Sequence, residues 1–249
     1  VGTILIIMIV RGRALRENYA EHKHPFWHAP IAHIVALSER ASLIEQIQGL
    51  DQGSPETVLY APVYVDRRNR FWISPQELVK RYAQTVSDYL DVQQLQKEQP
   101  DKILSLNELS SLTKDRRLIL EIMSNVPEVD EHIVKIVENN QLQDRILLHS
   151  EFDVIYTSTR KRRPQWLYGI PLGERTRASL LAGIFLEPSA NLTGDALVYY
   201  SPDYPRRLQI VSPRLIAELH RRHKRVFMGP IADTNPKTSL LLDAVIQAW

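Results

Sequence analysis

Leu118-Ile119-Leu120-Glu121-Ile122-Met123 is a short apolar run of strand length with a single carboxylate inside it. Behind it, Val129, Ile133, Ile136 and Val137 fall on one helical stripe over 129–139, and Ile146-Leu147-Leu148-His149 ends a second apolar run. Strand, helix, strand in this order is the unit of a parallel sheet. Working outward, the same alternation predicts strands over 31–36, 57–65, 117–123, 145–149, 165–170, 195–199 and 225–228. Helices are expected over 42–50, 105–112, 129–139, from Ser212-Pro213 onward and over 238–249. Ser105 with Glu108 three residues later is a capping box, and Ser212-Pro213 is an N-cap with proline in the first turn. Seven strands followed by a helix with no strand after it predict an α/β fold, a (β/α)8 TIM-type barrel missing its last strand.

Glu121 marks the candidate site, because an ionised carboxylate in an apolar strand is costly unless a metal, a cation or several donors meet it. The bland alternative is that strand alternation turns it to water. Composition narrows the chemistry. The 249 residues are 44% hydrophobic, enough for one large domain, and a formal charge of +2 gives no field of the kind a nucleic-acid binder carries. No nucleic-acid partner is therefore expected. With no cysteine, thiolate metal sites, disulfides and cysteine nucleophiles are excluded, so any metal must be held by oxygen or imidazole.

The first residues are read apart from the barrel. Residues 1–10 are an apolar segment followed by Arg11, Arg13 and Arg16. A truncated membrane anchor, a signal-peptide core and a buried strand all fit it, and the basic flank favours the anchor. Residues 11–29, with His22, His24 and His28 in an aperiodic polar stretch, read as a linker of solvated histidines, leaving 30–249 as the barrel. The expected localisation is a membrane surface reached through one N-terminal anchor, on a side the sequence does not set. Basic clusters at 160–163, 206–207 and 221–225 read as solvated charge or as contacts to anionic lipid.

From 30 to 249 the chain resembles the glycerophosphodiester phosphodiesterases. The resemblance rests on Ile103 to Leu109 as a helix start, Leu120-Glu121-Ile122-Met123 as a strand, Ile146 to Asp153 as the next strand and turn, Arg160 to Pro164, Trp166 to Gly169, and His220 to Ile231. It implies a barrel that hydrolyses glycerophosphodiesters with Ca²⁺ or Mg²⁺ and a pair of histidines. The family's Ala-His-Arg-Gly is matched by Ala32-His33-Ile34-Val35, its Glu-x-Asp metal pair by Tyr60 and Pro62, and its second histidine by Ser74, Pro75 or Gln76. The lysine two residues after the strand glutamate is Met123.

What survives is His33 and Glu121 as catalytic candidates, with Glu121 alone as a weak metal ligand. Asp66 lies near the second strand, and Arg67, Arg68 and His149 are candidates for binding substrate. The expectation is a noncatalytic member of this phospholipid-metabolism family, with no cofactor, that binds a glycerophosphodiester, a phospholipid headgroup or a protein. The alternative is an active phosphoric diester hydrolase with a rearranged site around His33, Glu121 and Asp66, using Ca²⁺ or Mg²⁺.

Overall fold

The computed structural model describes residues 22–50, 56–82, 85, 87–200, 211–230 and 242–248. The proposed anchor at 1–10 and most of the linker lie outside them. Eight parallel strands form the barrel: β1 (His33–Ala36), β2 (Thr57–Val65), β5 (Arg117–Ile122), β6 (Ile146–His149), β7 (Leu167–Tyr168), β8 (Ala196–Tyr200), β9 (Arg225–Gly229) and β10 (Ala244–Ala248). Their order is β7-β6-β5-β2-β1-β10-β9-β8, and a parallel bridge from Gly169 to Ala196 joins the two ends. A short excursion, β3 (Phe71–Ile73) and β4 (Leu104–Ser105), pairs antiparallel beside β2.

The last element corrects the expected helix over 238–249 and the expected missing strand. Ala244 to Ala248 form β10, which pairs with β1 through Ile246 opposite Ile34 and with β9 through Ala244 opposite Phe227. Without it β1 and β9 would each expose an unpaired edge, and closing both outweighs the local helical pattern.

The helices are α1 (Leu43–Gly49), α2 (Gln76–Tyr82), α3 (Val92–Glu98), α4 (Leu106–Leu112), α5 (Val129–Asn139), α6 (Asp153–Arg162), α7 (Leu172–Gly183) and α8 (Pro213–Arg221). The box at Ser105 and Glu108 caps α4, and the Ser212 hydroxyl accepts from the Leu215 amide at the start of α8. Helices α2, α3, α6 and α7 had no counterpart among the sequence expectations. In α6 and α7 dense charge weakens the apolar stripe that would have announced them. Among the described residues no helix is long and apolar enough to cross a membrane.

Strand alternation sorts the core into two layers. Ile34, Val58, Tyr60, Ile119, Leu147, Leu167, Val198, Phe227 and Ile246 fill the barrel, while Leu59, Leu118, Leu120 and Leu148 pack under the helices. Phe26, fully buried with this inner cluster, stops the base. It sits on a 3₁₀ turn, Pro25–Trp27, so residues 22–29 pack on the barrel and do not hang free. Here His22 Nδ1 lies 3.0 Å from Asp195 Oδ1, and the buried His24 Nδ1 accepts from the Phe26 amide. Burial, then the neighbouring His22, lowers the pKa of His24.

Candidate functional site

Catalytic centres of such barrels form at the carboxyl ends of the strands. Glu121 lies near that end of β5, beside Pro62 of β2 on one side and His149, the last residue of β6, on the other. Both side chains follow the inward alternation of Ile119 and Leu147, so both point into the barrel mouth and not toward the helices. Glu121 is 6% exposed and His149 2%. Gly169 makes room for the imidazole, since a Cβ there would stand 2.3 Å from His149 Nδ1. Gly169→Ala is therefore expected to displace the ring and lower stability by about 1–3 kcal/mol, the usual range for overpacking, as a fall in thermal midpoint would report.

His149 Nε2 and Glu121 Oε1 are 3.5 Å apart. Burial first and the charge of Glu151 second push the Glu121 carboxyl from the ordinary 4.5 up to about 8, against the pull of Arg175. Burial and then Arg175 push the His149 imidazole from 6.5 down to about 3. Near neutral pH the contact therefore joins a carboxylic acid to a neutral imidazole; it is not an ion pair. His149 Nδ1 and the Tyr60 hydroxyl are buried with no protein partner.

Arg175, in the first turn of α7, is a buried cation of the mouth, and sequence reasoning missed it. It is 6% exposed, donates to Glu151 Oε1 at 2.9 Å, and its guanidinium carbon stands 4.8 Å from the centre of the Tyr199 ring. One of its terminal nitrogens, Nη1, is buried and unpartnered. A cleft of about 310 Å³ opens between Glu121, Glu151, Gln76, Lys80 and an apolar wall of Ile122, Met123 and Phe152.

The other candidates are elsewhere. His33 begins β1, faces out and is exposed. Through β2 it is level with Thr57 while Glu121 is level with Pro62, five residues on, or roughly 16 Å at ~3.3 Å per residue. That corrects its pairing with Glu121, because His33 lies toward the base. At the mouth end of β1 stand Ala36, Leu37 and Ser38, and Gln46 seals the turn by accepting from the Ser38 amide at 2.9 Å and donating to the Ser38 and Ala41 carbonyls at 2.7 Å.

Asp66 is committed to the β2–β3 turn. It accepts from the Arg68 amide at 2.8 Å, the Arg70 amide at 3.0 Å, Arg70 Nε at 2.8 Å and Trp72 Nε1 at 3.0 Å. Burial opposes its ionisation, but these donors outweigh it and lower its pKa. Arg67 and Arg68 are exposed on that turn, in a separate groove with Tyr89, and do not line the Glu121 cleft. The rearranged site around His33, Glu121 and Asp66 is thus not brought together.

The donor set does not fit a dication. Ca²⁺ or Mg²⁺ needs several oxygen ligands. Beside Glu121 stand Pro62 and His149, and Glu151 is held by Arg175. Among the described residues no three His, Asp or Glu side chains converge on a point that would hold a metal.

By sequence alone neither a protein-family model nor a curated protein matches the chain. In fold, the chain is a closed (β/α)8 barrel similar to solved glycerophosphodiester phosphodiesterases. One from Agrobacterium tumefaciens shares 12% identity over 88% of this chain and 96% of its own, with a TM-score of 0.56. Another, from Parabacteroides distasonis, shares 13% over 88% and 93%, at 0.57. A phosphodiesterase from Oleispira antarctica, solved with the product sn-glycerol-3-phosphate, shares 17% over 88% and 93%, at 0.58. The fold of this family is therefore the fold of this chain.

Proposed function

We propose that the protein is a noncatalytic relative of the glycerophosphodiester phosphodiesterases, whose barrel mouth holds a phosphorylated glycerol headgroup without a dication. The observation that carries this reading is the charge inventory of the mouth. A dication site needs several oxygen ligands, and here Glu121 has Pro62 and His149 for neighbours while Glu151 is paired with Arg175. Arg175 is the group suited to a phosphate, with an unused buried Nη1 and a planar fork of donors. The Tyr60 hydroxyl and His149 Nδ1 offer further unfilled hydrogen bonds. A ligand of this type is the one seen in the Oleispira antarctica phosphodiesterase.

Hydrolysis asks for more than binding. Attack on phosphorus needs charge beside the equatorial oxygens and an acid and a base flanking the phosphate, each worth a few kcal/mol of barrier. Burial and Arg175 push the His149 imidazole down to about 3, which makes it a weak base, and Met123 presents no charge. Incubation with glycerophosphocholine and millimolar Ca²⁺ or Mg²⁺ is expected to release no choline above the blank, while calorimetry detects sn-glycerol-3-phosphate binding that Arg175→Ala weakens at least tenfold. Turnover that disappears in Glu121→Ala would overturn the noncatalytic reading. Headgroup binding unaffected by Arg175→Ala, or no binding at all, would overturn the headgroup reading.

A further inference from the structure

In a barrel of this kind each helix returns from the mouth to the base, so the carboxyl ends of neighbouring helices gather at one end. Three consecutive helices do so here with complementary chemistry. α6 ends in Arg160, Lys161 and Arg162, and α8 ends in His220 and Arg221, of which Arg162, His220 and Arg221 are paired with Asp130, Asp243 and Glu218. Between them, α7 and the residues after it present Leu180, Ile184 and Phe185, which are 68%, 62% and 65% exposed. Leu180 and Ile184 are one turn apart on the same face, with the exposed Arg177 one turn before them. Phe185 has φ of 64°, a left-handed conformation that a bulky side chain rarely adopts. That conformation holds an aromatic ring in solvent. The Arg214 guanidinium lies over it, 3.8 Å from the ring centre.

The path of the chain adds a second observation. The loop that leaves Phe185 leads to Asp195, and Asp195 is the partner of His22, where the described chain begins. The 21 residues before His22 include the apolar run 4–10 and then Arg11, Arg13 and Arg16. An exposed apolar group with Arg177 and Arg214 beside it, in a chain whose residues 1–21 hold an apolar run followed by arginines, matches the chemistry of an anionic lipid surface.

We propose that Leu180, Ile184 and Phe185, flanked by Arg177 and Arg214, form a docking surface for an anionic bilayer, which sets the α7–α8 side of the barrel toward lipid. This reading is independent of what the mouth binds.

The cysteine-free chain permits a direct test. Ile184→Cys, in the full 249-residue chain, is labelled with an environment-sensitive fluorophore and mixed with vesicles of phosphatidylcholine alone or with phosphatidylserine added. Arg67→Cys, on the mouth-side turn, carries the control label. The expected result is a blue shift for the label at 184 with phosphatidylserine vesicles, weakened by salt and absent at 67. Sedimentation with the same vesicles should fall about tenfold in Leu180→Ser/Ile184→Ser/Phe185→Ser, and similarly in Arg177→Glu/Arg214→Glu. The proposal is overturned if vesicle binding is absent, if it is unchanged in both sets of variants, or if the label at 67 shifts instead. A concentration-dependent shift at 184 without vesicles, with a dimer on sizing, would assign the patch to a second copy and overturn it equally.

Discussion

Glu121→Gln is expected to stabilise the protein, by about 4 kcal/mol at pH 8 and by almost nothing below pH 4. Burial raises the folded-state pKa of Glu121 from the ordinary 4.5 to about 8. A group raised in this way contributes fully below its unfolded value, and that contribution is lost as the pH climbs toward the folded one, because the unfolded chain then releases a proton the folded chain retains. Glutamine keeps the shape of the protonated acid and has no proton to lose. His149 works in the opposite direction. Its folded-state pKa is depressed from 6.5 to about 3, so its contribution is present above 6.5 and is lost as the pH falls toward 3.

Between about pH 4.5 and 6.5 the two slopes cancel, leaving a plateau with an alkaline decline due to Glu121 and an acid decline due to His149. Denaturant midpoints measured across pH should show that shape, whereas the Gln variant should rise in stability up to about pH 6.5 and stay level above it. A Gln variant less stable than the parent at pH 8 would mean that Glu121 is ionised and held by something with positive charge.

Arg117→Met should be the most damaging single change at the base, lowering stability by about 3–5 kcal/mol. Arg117 opens β5 and points inward, where Nη1 donates to the Phe26 and Ala29 carbonyls at 3.0 and 2.7 Å and Nη2 to the Pro30 carbonyl at 2.8 Å. Its guanidinium carbon also stands 5.7 Å from the Phe26 ring centre. Methionine fills similar volume but leaves these carbonyls without those donors, and the plug that closes the barrel loosens. Equilibrium denaturation checks the size. A loss below about 1 kcal/mol would show that residues 25–30 are not integral to the folded unit.

Most of the barrel was legible because buried parallel strands are short apolar runs, and β2, β5 and β6 read that way with little competition. The strand β10 was not, because Ala244-Val245-Ile246 follows a leucine-rich stretch whose spacing suits a helix equally well, and only the open edges of β1 and β9 decide between them. Glu121 stood out for a physical reason, a carboxylate in an apolar run, and the mouth is where it lies. His33 did not keep its suggested place, since a motif matched at the start of a strand cannot supply a side chain at its end. Arg175 gave no local signal. Its importance comes from being the first-turn residue of a helix whose start faces the barrel mouth, a relation set by tertiary packing. Likewise Phe26 looked like part of a linker because the base it closes is built from strands far along the chain.

The strand glutamate stands in a mouth whose positive charge comes from Arg175 and Lys80 and not from a dication. Calorimetric titration of the purified chain with Ca²⁺ and with Mg²⁺ at pH 7 tests this most directly. The expected trace shows no saturable heat up to millimolar metal, with parent and Glu121→Gln indistinguishable. One-to-one binding that disappears in Glu121→Gln would contradict it.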